Sequence, residues 1–130
     1  MYSLKIVLTF LLFSLLSSCD PGSTIKYEIV NKTNDSIKAK YKFVFDESGD
    51  TSAKEMVVPA NSSKVINEEK SLGYVTHYDE RHDSIFLYWL TLQQRNKVTN
   101  QNFKDKKYWT LEKKDELNGT YKLIVDSRLF

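Results

Sequence analysis

Apolar and polar side chains alternate with period two through most of this chain, and that alternation predicts strands. Across residues 36–45, Ile37, Ala39, Tyr41, Phe43 and Phe45 share one phase while Lys38, Lys40 and Lys42 take the other. This is the pattern of a strand with one face in a core and one in water. Before it, Ile25, Tyr27 and Ile29 alternate with Lys26 and Glu28, and the link 31–35 is rich in turn formers. These two strands are expected to pair as a β-hairpin. Extended structure resumes over 53–58 and stops at Pro59, which cannot donate to a central ladder. A turn over 59–63 and a short strand over 64–67 follow. Residues 68–83 are polar without a sustained period and read as the longest loop, with room for an edge strand around 73–78.

Residues 85–92 are apolar in both phases, with Ile85, Leu87 and Trp89 on one side and Phe86, Tyr88 and Leu90 on the other. A strand buried on both faces, or central in its sheet, has this pattern. Residues 93–107 are polar and turn-like. Residues 108–111 give another strand, 113–119 a charged turn or single helical turn, and Tyr121, Leu123 and Val125 a closing strand. About seven short strands and no long amphipathic helix predict an all-β fold, an antiparallel β-sandwich that is Ig-like in outline, with a small barrel as the alternative.

The first 19 residues are different in kind. A weakly basic start, residues 1–5, precedes the stretch 6–16, in which nine of eleven residues are Ile, Val, Leu or Phe. Eleven apolar residues suit the h-region of a signal peptide and fall short of the roughly 20 that span a bilayer. Leu16-Ser17-Ser18-Cys19 follows, and Cys19 is the sole cysteine. Those four residues resemble the lipobox of bacterial lipoproteins. The resemblance implies cleavage between Ser18 and Cys19, a diacylglyceryl group on the sulfur, a signal peptide 1–18, a lipidated N-terminus with a short tether 19–23, and a sandwich domain 24–130. Two or three acyl chains such as palmitate hold a protein stably on a membrane, whereas one binds only marginally. The implied location is the cell envelope, lipid-anchored at the outer membrane. The single acid Asp20 after the cysteine leaves the periplasmic and surface faces both open.

The wider pattern resembles small lipoproteins of Bacteroidota-type bacteria. It is carried by Asn31, Thr33, Asn34, Asp35, Ser36 and Ile37, then by Pro59 and Ser62, and later by Trp109 and Tyr121. That resemblance implies an envelope-anchored β-sandwich and supplies no activity. In such hosts Asp35-Ser36-Ile37 and Asp83-Ser84-Ile85 resemble O-glycosylation sites, at Ser36 and Ser84.

Composition narrows the function classes. The 130 residues include 19 Lys and Arg against 17 Asp and Glu, a balance that provides no field for steering toward nucleic acid, which is therefore not an expected partner. Four glycines, at 22, 49, 73 and 119, form no phosphate-binding loop. Metal-capable side chains cluster only at His77, Asp79, Glu80, His82 and Asp83. On a strand His82 points away from His77, and on a helix the five-residue spacing misses the i, i+4 pairing of a zinc site. A metal-dependent hydrolase using His77 and His82 is thus the weakest reading. Asp46, Glu47 and Asp50 lack the ligand alternation of a calcium loop. No Gly-x-Ser-x-Gly element exists, and the adjacent carboxylates Glu68 and Glu69 face opposite ways on a strand. No enzyme, cofactor or metal is expected.

The aromatic content points instead to binding. Eight Tyr, seven Phe and two Trp provide rigid contact area suited to sugar or protein ligands. Tyr74, Tyr78, Phe86, Tyr88 and Trp109 are the candidate ligand contacts, being in the long loop or on a phase that can face outward. The expected function is that of a membrane-anchored, non-enzymatic binding or interaction module for a protein or glycan. The alternative is a glycan-binding accessory lipoprotein of a carbohydrate-uptake system.

Overall fold

A computed structural model describes residues 21–44 and 52–130. The acidic turn at Asp46, Glu47 and Asp50 and the end of the second strand at Phe45 lie outside them. Among the described residues the chain forms β1 (Gly22–Asn31), β2 (Ile37–Phe43), β3 (Lys54–Val58), β4 (Ser62–Leu72), α1 (Val75–Arg81), β5 (Leu87–Gln94), β6 (Lys97–Val98), β7 (Trp109–Lys113) and β8 (Asn118–Val125). Short 3₁₀ turns occupy Lys106–Tyr108 and Ser127–Leu129. Two four-stranded sheets result, ordered β4-β1-β8-β7 and β3-β2-β5-β6. The fold is an all-β sandwich, with eight strands among the described residues. Sheet 2 is antiparallel throughout. In sheet 1 the β1–β4 and β7–β8 pairs are antiparallel and β1 runs parallel to β8.

The core lies between the sheets, where the inward phases of both meet. Ile25, Tyr27 and Ile29 of β1 and Tyr121, Leu123 and Val125 of β8 face Ile37, Ala39, Tyr41 and Phe43 of β2 and Leu87, Leu90 and Leu92 of β5, all buried. The Tyr27 ring is central. It stacks on Tyr121 with centroids 5.6 Å apart and meets Phe43 at 5.0 Å and the edge of Trp109 at 6.1 Å. Such aromatic pairs stabilise by about 0.5–1.5 kcal/mol each beyond the area they bury.

The expected hairpin of the first two strands does not form: β1 belongs to sheet 1 and β2 to sheet 2. At the crossing stands Asn31, fully buried at the end of β1. Its Nδ2 donates to the carbonyls of Asp35, Val58 and Pro59 at 2.9, 3.1 and 3.0 Å. Its Oδ1 accepts from the backbone N–H and hydroxyl of Thr33 at 2.9 and 2.8 Å. Gln94, at the end of β5, donates to the same hydroxyl at 2.6 Å. Buried polar groups of the crossing are thereby satisfied by side chains where a hairpin would use ladder bonds.

Residues 68–83, expected as a loop, divide into strand and helix. β4 continues to Leu72, its polar residues lying along a sheet edge paired only with β1. A bulge between Tyr27 and Glu28 opposes Ile66 and buries both Ile66 and Asn67. Gly73, at φ +88°, then turns the chain in a conformation that L side chains rarely adopt. α1 follows in place of the edge strand expected around 73–78. It spans two turns only, so packing stabilises it rather than propensity. Val75 and Tyr78, three residues apart, are its buried side chains, and the Val75 N–H finds a partner in the Glu116 carbonyl at 2.8 Å. Among the described residues no helix is long and apolar enough to cross a membrane.

Candidate functional site

The outward faces of the two sheets differ in chemistry. On sheet 1 opposite charges face each other across the strands. Lys26 meets Glu68 at 3.8 Å, and Lys122 meets Glu112 at 2.6 Å and Glu28 at 3.9 Å. On sheet 2, Glu55 of β3 neutralises Lys38 at 3.1 Å and Lys40 at 3.4 Å, and the Lys38 hydrogen bond chiefly holds the Glu55 carboxyl below its usual range. Farther along β2, Lys42 lies over the ring of Tyr88, 5.3 Å from its centroid. Trp89, opposite Lys42 in the ladder, is 40% exposed and Tyr88 is 55% exposed.

Two adjacent exposed rings on one strand break the period of two, and a bulge is the cause. Lys42 pairs with Trp89 but Phe43 pairs with Leu87, so β5 carries one residue more than β2 at this point. An extra residue changes the phase of the strand. Leu87 therefore points inward, Tyr88 and Trp89 both stay accessible, and Leu90 and Leu92 return to the core. β5 is consequently exposed along one face rather than buried on both, and it is central in its sheet, between β2 and β6, which is the other reading of its pattern. Thr91 and Gln93 continue the same outward row, opposite Lys40 and Lys38. Trp89 and Lys42 were not foreseen as site residues, since an unbroken alternation assigns Trp89 to the inward set with Leu87.

Of the five expected ligand contacts, the structure leaves Tyr74 and Tyr88 exposed, buries two and half-buries one. Trp109 is only 7% exposed, and its indole N–H donates to the Phe103 carbonyl at 2.7 Å. Tyr78 is 5% exposed. Both are core residues, drawn inward because each finds a partner for its polar atom. Phe86 is half-buried, its ring centroid 4.4 Å from that of His82. Tyr74 lies far from Tyr88 in sequence, on the turn before α1 and against the exposed ring of His77 at 5.6 Å. Ser36 and Ser84 are exposed. Cys19 lies outside the described residues.

Under α1 lies a polar cluster that is structural in character. Glu69 Oε2 accepts from the hydroxyls of Tyr27 at 2.6 Å and Tyr78 at 2.5 Å. Tyr121 donates to Asp79, which also binds the Lys106 ammonium; Lys106 donates further to the carbonyls of Asp79 and His82 at 2.9 and 3.0 Å. Burial foremost pushes all three phenols far above their ordinary range, followed by Tyr78 and then Glu69 for Tyr27, by Glu69 for Tyr78 and by Asp79 for Tyr121. They remain neutral donors that tie α1 to sheet 1, with no phenolate to act as base or nucleophile. Among the described residues no three His, Cys, Asp or Glu side chains converge as a metal site.

Two members of this region set an acid limit on stability. Burial, then the Arg81 charge, holds His82 below the ordinary histidine value. The folded state then favours neutral imidazole, so stability is lost as pH falls through about 6.5, where the unfolded chain takes up the proton. Burial raises the Asp79 carboxyl, but hydrogen bonds from Lys106 and Tyr121 outweigh it and leave it depressed. Its contribution is present above about pH 3.9 and is lost below, as the pH falls through the folded value. Denaturant titrations from pH 8 to 3 are expected to show two descending steps. His82→Gln should flatten the upper and Asp79→Asn reduce the lower, to which other depressed carboxylates such as Glu55 also contribute; a profile unchanged by either variant would refute the assignment.

A shallow recess lined by Val30, Asn31, Lys32, Asn61, Ser62 and Ser63 lies at the far end of β1 and gathers no aromatic side chain. Comparison of the chain with protein-family models, with curated proteins and with solved structures returns no match in any of the three.

Proposed function

We propose that the chain is a lipid-anchored, non-catalytic binding module of the cell envelope, held through Cys19, whose ligand seat is the outward face of sheet 2 around Tyr88, Trp89 and Lys42. The observation that carries the seat is the bulge in β5, which keeps two neighbouring rings accessible where regular pleating would turn one inward. Exposed Tyr and Trp on rigid backbone are the side chains that dominate recognition energetics. The anchor is supported by the apolar run 6–16 and the sequence Leu16-Ser17-Ser18-Cys19. A glycan is the second reading for the ligand, favoured by the row of Thr91 and Gln93 beside the rings, which couples hydrogen-bonding groups to an aromatic platform.

The two tryptophans make the seat testable without knowing the ligand in advance, because Trp89 is exposed and Trp109 buried. Titration with a panel of soluble polysaccharides and with envelope extracts should blue-shift the emission of Trp89 for the true ligand. Measured by calorimetry, which does not depend on the Trp89 signal, Tyr88→Ala and Trp89→Ala should each weaken that binding about thirtyfold, in keeping with a loss of about 2 kcal/mol for a central aromatic contact. Ile124→Ala, on the outward face of sheet 1, should leave it unchanged. Binding that survives both aromatic truncations would dismiss the seat. For the anchor, Cys19→Ala should move the chain from the membrane to the soluble fraction, and retention in the membrane would dismiss the lipid.

A further inference from the structure

The anchor and the fold together select which end of the sandwich meets the lipid. Between Cys19 and the first strand residue, Gly22, stand only Asp20 and Pro21. From Cys19 to Pro21 is two residue steps, a reach of about 7 Å when fully extended. The Pro21 carbonyl accepts from the Gly73 N–H at 2.7 Å, so the point where the tether enters the fold is fastened to the turn between β4 and α1. A lipid on Cys19 therefore holds that turn within the depth of an interfacial layer, about 5–8 Å on each side of a bilayer's hydrocarbon core.

The side chains at this end suit such a position. Leu72 is 66% exposed, more than any other large apolar residue among those described, and Tyr74 is 41% exposed. Leu72 is open because its ladder partner is Gly22, which has no side chain to cover it. Tyrosine is enriched at membrane interfaces, where the ring meets acyl chains and the hydroxyl meets water. Arg81, donating to the Leu72 carbonyl at 3.0 Å, and Lys113 lie nearby, but so do Asp115 and Glu116 on the adjoining turn. The charge is mixed, which makes the contact apolar rather than electrostatic.

We propose that the Leu72-Gly73-Tyr74 turn is a membrane-contact surface, seated on the bilayer that carries the Cys19 lipid, with the Asn61 turn at the other end of β4 pointing away from it. The surface rests on the lipid-anchor reading and adds an orientation to it. From Ser62 to Leu72 the strand extends over about 33 Å, so the two ends experience different surroundings.

The test uses the full chain in its native membrane. A photoreactive phenylalanine analogue replaces Leu72, Tyr74 or, as control, Asn61, and phospholipid adducts are read by mass spectrometry after illumination. The mass of the N-terminal peptide, measured on the same sample, reports acylation of Cys19. The expected result is acylated Cys19 with at least about fivefold more lipid adduct from positions 72 and 74 than from 61. Acylated Cys19 with equal or absent lipid adducts, or with protein adducts in their place, overturns the contact surface while leaving the anchor standing. Unacylated Cys19 in a soluble chain overturns the anchor and the surface with it.

Discussion

Replacing Asn31 with alanine is expected to lower the stability of the protein by about 3–5 kcal/mol. The side chain is fully buried and serves five backbone and side-chain groups at once, the carbonyls of Asp35, Val58 and Pro59 and the N–H and hydroxyl of Thr33. Truncation takes the acceptor from the buried Thr33 N–H and a donor from the Val58 carbonyl, while the Asp35 and Pro59 carbonyls keep the hydroxyls of Thr33 and Ser62; each unsatisfied buried group costs about 1–3 kcal/mol. Relaxation and water entry recover part of the sum. Against a total stability of about 5–15 kcal/mol for a domain of this kind, the loss is large. Asn31→Asp sharpens the test. A carboxylate retains acceptors for Thr33 but faces three carbonyl oxygens with no donor, so the folded state favours its protonated form. Its pKa is then raised on folding, and this variant should gain stability as pH falls from the raised folded value toward about 3.9, the unfolded value, opposite to the parent chain. Denaturant midpoints at pH 7 and 4.5 measure both effects. An alanine variant within about 1 kcal/mol of the parent would show that the crossing between sheets does not depend on Asn31.

Phe103→Ala is expected to cost a further 3–5 kcal/mol in its own right, the range for truncating a buried phenylalanine. Phe103 is 1% exposed although it lies between β6 and β7 in a segment with little regular structure. Its ring packs edge-on against Tyr108 at 5.3 Å, and its carbonyl anchors the Trp109 indole. Removing the ring empties space beside Tyr108 and loosens the backbone whose carbonyl holds the Trp109 indole. Trp109 emission should shift to longer wavelength and amides across 99–109 should lose exchange protection, alongside a lower unfolding midpoint. Phe103→Leu, which conserves most of the volume, should cost less than half as much. Equal losses for the two would mean that ring packing is not what the site requires.

How legible this fold was can be judged at these same residues. Period two correctly assigned Ile25, Tyr27 and Ile29, and Ile37 to Phe43, to inward faces, because burial of one face is a property of the strand alone. The partner of each strand is not. Whether β2 returns beside β1 or crosses to the other sheet depends on how 31–35 satisfies its buried polar groups, and Asn31 does so with contacts 27 and 28 residues away. Glu69 made its stretch read as loop, although in the fold it receives two phenol hydroxyls at the edge of the core. Phe103 and Trp89 carry no local signal either. One is an isolated ring in a polar run, and the other changes face through a bulge defined only by pairing with β2.

By itself, then, the amino-acid sequence determined an all-β chain with a two-faced core pattern, near-balanced charge, and an N-terminal segment whose apolar length and single cysteine resemble a lipoprotein signal. These depend on local composition and on periods of a few residues. The tertiary structure alone decided the parallel pairing of the first and last strands, the helix over Val75–Arg81, the burial of Tyr78 and Trp109, and the exposure of Trp89. Each depends on which distant backbone group or ring completes a hydrogen bond or fills a volume, and no local pattern encodes a partner that only folding brings near.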